Sequence, residues 1–128
     1  MRGRVATTLV TGASAAAREA AIAARLAALL PDPATAPEGR IAVILEGLAS
    51  GSSPIPALPP VRLVRLAPGC MCCAGNLVLR VTLNRLLRQG PERLFIGVAN
   101  SEHLDQLRSW LQQAPYDQLL ALEPVLHT

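Results

Sequence analysis

Lysine is absent from this 128-residue chain: all twelve basic residues are arginine. That removes every candidate for a catalytic or phosphate-binding lysine. Aromatic residues are nearly absent as well, with one Phe, one Tyr and one Trp. The core must therefore be built from Leu, Val, Ile and Ala. No aromatic rings interleave with the scattered arginines, and the net charge is only +3. Nucleic-acid binding is not expected from such a pattern. Long apolar runs are missing too, so no stretch can span a bilayer and no membrane partner is expected. The basic start at Arg2 and Arg4 leads into a run with two threonines and then Ala-rich helical sequence, which argues against a secretory leader.

What is present is globular: 51% hydrophobic and 16% charged residues, consistent with one domain spanning 1–128 and a core that needs no disulfides. The three cysteines crowd into Gly69-Cys70-Met71-Cys72-Cys73. This is not an extracellular disulfide framework, and a reducing cytoplasm is the expected setting.

Strand and helix signals alternate. Val5 to Thr11 reads as a β-branched strand, ended by Gly12. Ser14 can cap a helix to about Leu30, with Ile22, Leu26, Leu29 and Leu30 on its buried face. Ile41 to Leu45 is a continuous apolar run that suits a central parallel strand. Residues 49–60 are a Ser/Gly/Pro-rich loop. Val61 to Leu66, interrupted by Arg62 and Arg65, reads as a strand nearer an edge. A helix from about Gly75 to Gln89 buries Leu79, Leu83, Leu86 and Leu87, and Gly90-Pro91 ends it. Leu94 to Ala99 is a fourth strand. Asn100 or Ser101 caps a helix to about Gln113, and Leu122 to Leu126 is the expected last strand. The alternation predicts a three-layer α/β/α domain with a mostly parallel sheet, Rossmann-like in type. Ligands of such sheets sit at the carboxyl ends of the strands. Gly12, Glu46, the cysteines and Asn100 all follow strands and are expected to share that edge.

The strand, the loop Thr11-Gly12-Ala13-Ser14-Ala15-Ala16-Ala17-Arg18-Glu19 and the helix after it stand where a phosphate-binding loop would. With Gly69-Cys70-Met71-Cys72-Cys73 after the third strand, this arrangement resembles the CobW family of metallochaperone P-loop GTPases, whose G-C-x-C-C motif lies at this place. Ile41 to Glu46 resembles that family's second strand, and Leu94 to Asn100 its strand ending in Glu-Thr-Ser-Gly. The resemblance covers the first half of the family's GTPase domain. The guanine-reading Asn-Lys-x-Asp segment and the C-terminal domain have no counterpart.

The departures are chemical. A phosphate loop uses G-x-x-x-x-G-K-[ST], whose lysine neutralises phosphate and whose hydroxyl holds magnesium. Here those last three positions are Ala17, Arg18 and Glu19. Gly97 stands in place of the acid of Glu-Thr-Ser-Gly. The degenerate loop of Gly12, Ser14, Ala17, Arg18 and Glu19 is thus expected to bind GTP and magnesium poorly, Glu19 repelling phosphate or taking a cation itself. A simple anion at the helix end is the most it should accept. No catalytic residue is assigned.

The expectation is a CobW-like pseudo-GTPase that binds zinc or copper(I), or a partner protein. Cys70 and Cys72 have the spacing for joint ligation, and Cys73 is a possible third ligand. Glu46, His103, a water or a second subunit would complete the set. A metal-receiving client protein or a homodimer is the implied partner. Two alternatives stay open: a divergent GTPase using Arg18 and Glu19, and a regulatory interaction module whose cysteines are inert relics. Glu46 has a simpler reading as an acid facing water or bonding Arg18, and His127 as a solvated tail residue.

Overall fold

The computed structural model describes residues 4–12, 14–32, 34–36, 38–47, 54–55, 58–66, 77–99 and 101–128, without the side chains of 101–103. Six strands and four helices run in the order β1 (Val5–Thr11), α1 (Ala15–Leu29), β2 (Ile41–Glu46), β3 (Val61–Leu66), α2 (Leu77–Arg88), β4 (Arg93–Val98), α3 (Ser101–Leu111), α4 (Tyr116–Leu119), β5 (Leu120–Leu122) and β6 (Leu126–His127). The sheet order is β3-β2-β4-β1-β5, with β6 also on β1. Every pairing is parallel.

The burial pattern explains the order. All six residues of β2 are buried, because neighbours lie on both sides and helices on both faces. β3 shows only its ends buried, in keeping with its place at the sheet edge. Arg62 reaches water from this edge and pairs with Glu38, while Arg65 turns inward and is held by a carboxylate of α1.

Two apolar layers flank the sheet. On one face α1 packs Ile22 and Leu26 against Val10, Val43, Leu45 and Phe95. On the other, Leu79, Leu83 and Leu86 of α2 and Leu104, Leu107 and Leu111 of α3 cover Leu9, Ile44, Leu94 and Ile96. The chain is thus the expected α/β/α sandwich. The single Phe and single Tyr, Phe95 and Tyr116, both lie in the core. Arg18, Ile22 and Leu26 of α1 are buried at successive i, i+4 positions, so one helix stripe faces inward. Helix α2 ends where Gly90 adopts φ 71°, the left-handed conformation that closes a helix and that glycine takes without penalty.

The last strand departs from expectation. Instead of one strand over Leu122–Leu126, two short ones straddle that range. Thr7 pairs with Leu122 but Val10 with Leu126, so one extra residue is accommodated between them. Pro124 lies in that gap and has no N–H to give to a ladder, which breaks the pairing. His127 is exposed but is not a loose tail: it pairs with Thr11.

Candidate functional site

Helix α1, which follows β1, lies on one face of the sheet, and α3, which follows β4, on the other. β1 and β4 are neighbours. Their carboxyl ends therefore bracket a switch point, where open α/β sheets place their ligands. Gly12, Glu46 and Ala99 all lie along this edge.

At the β1–α1 corner Ser14 to Ala17 are exposed, while Gly12, Ser14 and Arg18 are engaged in contacts within the chain. Ser14 is extended (φ −113°, ψ 130°) and its hydroxyl accepts from the Ala17 N–H at 3.2 Å. It is the expected N-cap, and it occupies one of the N–H groups that would otherwise face an anion. Arg18 is only 6% exposed. Its guanidinium turns back and donates to the Gly12 carbonyl. Gly12 is also covered: a Cβ there would lie 1.8 Å from Thr128 Oγ1. Thr128 donates its N–H to the Thr11 carbonyl at 2.9 Å, and its hydroxyl donates to the same oxygen at 3.1 Å. Only glycine permits that close approach of the two segments.

Glu19 does not stand ready for a cation or against a phosphate. Both of its oxygens accept from Arg65 of β3, at 2.9 and 3.1 Å. The pair is largely enclosed, with side-chain exposures of 18% for Arg65 and 13% for Glu19. The hydrogen bonds to Glu19 raise the Arg65 pKa above its ordinary value, against the lowering effect of burial. Two-pronged pairing of this kind fixes geometry as well as charge. The sequence did hold a signal for it. Val61, the first residue of β3, packs into the α1-side layer, and the alternation of a strand turns Arg65 to that same side.

Glu46, at the end of β2, is 7% exposed and its Oε1 accepts from the Ala99 N–H at 2.8 Å. It neither faces water nor meets Arg18 in any contact described for that guanidinium. It ties the end of β2 to the end of β4. Just below it, Gly97 leaves no opening: a Cβ there would lie 3.0 Å from Leu45 Cδ2 and 3.8 Å from Ile22 Cδ1. The position of the acid in Glu-Thr-Ser-Gly is thus filled by core aliphatics.

A further polar cluster was not foreseen. Glu123 Oε1 accepts from Thr8 Oγ1 at 2.7 Å and from Arg93 at 3.2 Å. It joins β1, β4 and the break between β5 and β6. Only the fold brings these three together, since nothing local in the sequence links them.

Cys70, Cys72, Cys73 and Asn100 lie outside the described residues. His103 falls in the first turn of α3 by its backbone, and nothing is described of its side chain. Among the described residues no group of three or more His, Cys, Asp or Glu could hold a metal ion. No helix among them is long and apolar enough to cross a membrane.

The architecture and its ligand edge define a Rossmann-like α/β domain with a mostly parallel sheet. Over 59 residues, 45% of its length, the chain is 41% identical to the zinc chaperone YeiR of Escherichia coli (strain K12). The match spans 18% of that protein. No family model and no solved structure matches the chain.

Proposed function

We propose that the chain is a metal-binding module related to metallochaperones, one that carries zinc or copper(I) on its cysteine corner and does not hold or turn over GTP. The observation that carries this reading is the set of internal contacts at the β1–α1 corner. Arg18 is bonded to Gly12 and Glu19 to Arg65, so the two residues that replace the lysine and the hydroxyl are both spent on internal contacts. A nucleotide would have to break them and displace Thr128 from Gly12, with no lysine anywhere to compensate.

The metal half of the reading rests on the C-x-C-C sequence and on the similarity to a zinc chaperone. In it, Cys70 and Cys72 are the thiolate ligands, Cys73 a third, and Glu46 or His103 the residue that completes the set. Glu46 suits that part: its carboxylate sits at the right sheet edge and is oriented by the Ala99 N–H, as ligating carboxylates commonly are. With at most three sulfurs from one chain, a labile position remains, which suits transfer to a client protein or sharing across a dimer rather than a closed structural site.

The test is zinc titration of the reduced chain in competition with a chromophoric chelator, beside Cys70→Ser, Cys72→Ser. The wild-type chain should take one ion per chain, with affinity falling as pH drops through the thiol pKa. The double variant should lose it. Equal weak uptake by both proteins would leave the cysteines as relics.

A further inference from the structure

Helix α2 has an outer face that no element among the described residues covers. Its inner stripe, Leu79, Leu83 and Leu86, is buried. Outside, Leu77, Val78 and Val81 are 65%, 49% and 48% exposed. Arg85 and Arg88 continue that side of the helix and are exposed. Valine is a poor choice for a solvated helix surface, where neither propensity nor solubility favours it.

Along the chain, the charge of α2 and the segment before it is one-sided. Between Glu46 and Glu92 the sequence has five arginines and no acidic residue. Arg62 and Arg65 of that stretch are answered by Glu38 and Glu19. Arg80 lies over the Trp110 ring, 5.8 Å from its centre. Arg85 and Arg88 have no ion-pair partner among the described residues.

We propose that the outer face of α2 is a docking surface for an acidic amphipathic helix of another protein. Its apolar side chains would seat on Leu77, Val78 and Val81, and its carboxylates would reach Arg85 and Arg88. An apolar centre bordered by exposed positive charge complements an apolar helix stripe bordered by carboxylates. A membrane surface fits less well, because the face carries no Trp or Tyr to anchor at the headgroup level. A nucleic acid fits less well, because the nearest ring, Trp110, is covered by Arg80 and Tyr116, which leaves no platform for bases. A second copy of the chain would set this acid-free face against itself, like charge against like. The proposal goes beyond the metal reading and does not depend on it.

The test uses the full reduced chain and two fluorescently labelled helical peptides with the same leucine pattern, one flanked by glutamates and one by lysines. Anisotropy should show the glutamate peptide binding at least about tenfold more tightly than the lysine peptide. Arg85→Glu, Arg88→Glu should invert that preference, and Val81→Asp should weaken both by about tenfold, each variant being checked for fold by circular dichroism. The inversion is a readout that a merely structural role for these arginines would not give. Equal binding of the two peptides, or an unchanged preference in the charge-reversed variant, would overturn the proposal. So would tighter binding to phosphatidylserine vesicles or duplex DNA than to the glutamate peptide, or a dimer in sedimentation that Val81→Asp dissolves. Zinc uptake should be the same in all these variants, so failure here is distinguishable from failure of the metal reading.

Discussion

Charge that turns toward the sheet and charge on the outer surface of α2 are treated in opposite ways. On the α1 side, charge that turns inward is answered: Arg18 by the Gly12 carbonyl, Glu19 by Arg65, and Glu123 by Thr8 and Arg93. On the α2 side, Arg85 and Arg88 point outward with no acid to meet them among the described residues. The first pattern belongs to residues engaged within the chain. The second belongs to a surface left open. The lesson is that an arginine's neighbours decide its role. Arg18, which the resemblance sets at the phosphate-lysine position, is buried against the Gly12 carbonyl, whereas Arg85 and Arg88 are exposed.

The largest expected effect comes from reopening the α1-side face. Gly97→Glu restores the acid that the CobW-like pattern has there, but sets a carboxylate among Leu45 and Ile22. Burying an unpaired charge should cost about 4 kcal/mol or more, measured by urea unfolding followed at Trp110. Stability within about 1 kcal/mol of wild type would show that this region has room for the acid after all.

Next in size is the core that seals the same face. Ile22→Ala removes a side chain that is 0% exposed, and should cost about 3 kcal/mol. Leu83→Ala, equally buried under α2, should cost about the same. A much smaller loss for Ile22 alone would mean that α1 sits loosely and the corner is not rigidly held.

The arginines give the comparison itself. Arg65→Ala removes a two-pronged ion pair from a largely enclosed place and should cost about 2 kcal/mol. Arg85→Ala, on the open face, should change stability by less than about 0.5 kcal/mol. Equal losses would erase the distinction between inward and outward charge.

A smaller loss than that of Arg65 is expected at the clamp between α2 and α4. The Tyr116 hydroxyl donates to Asn84 Oδ1 at 2.7 Å, and its ring stacks at a tilt on Trp110 with centres 4.8 Å apart. Burial raises the Tyr116 pKa above its ordinary 10.0, with Arg80 and the Asn84 contact pulling it down in part. A raised folded pKa means that the unfolded chain releases the proton first. The associated stability is therefore full below about pH 10 and is lost as pH climbs toward the folded value. Tyr116→Phe should cost about 1 kcal/mol at neutral pH and should flatten the alkaline fall. A fall of the same steepness in the variant would assign it to other groups.

Much of the architecture was legible from local pattern. The unbroken run Ile41 to Leu45 announced an interior strand, and Arg62 with Arg65 announced an edge, because strand burial is written in which residues alternate. Ser14 as N-cap was legible for the same local reason. The β5–β6 break was not, because Pro124 acts only through a register set by β1. The fates of Arg18 and Glu19 were half legible. Their charges are in the sequence, but Glu19's partner lies far along the chain on β3, and Arg18's direction is set by burial of the α1 stripe. The Glu46–Ala99 tie is a contact between two strand ends that no spacing in the sequence reveals. The cysteine corner remains a statement of sequence alone.

The proposed function turns on whether the β1–α1 corner admits a nucleotide. The most direct measurement is calorimetric titration of GTP with magnesium into the wild-type chain and into Arg18→Ala. No binding heat is expected from either, since Arg18 serves Gly12 and Glu19 serves Arg65. Micromolar GTP binding by the wild-type chain, abolished in Arg18→Ala, would contradict it.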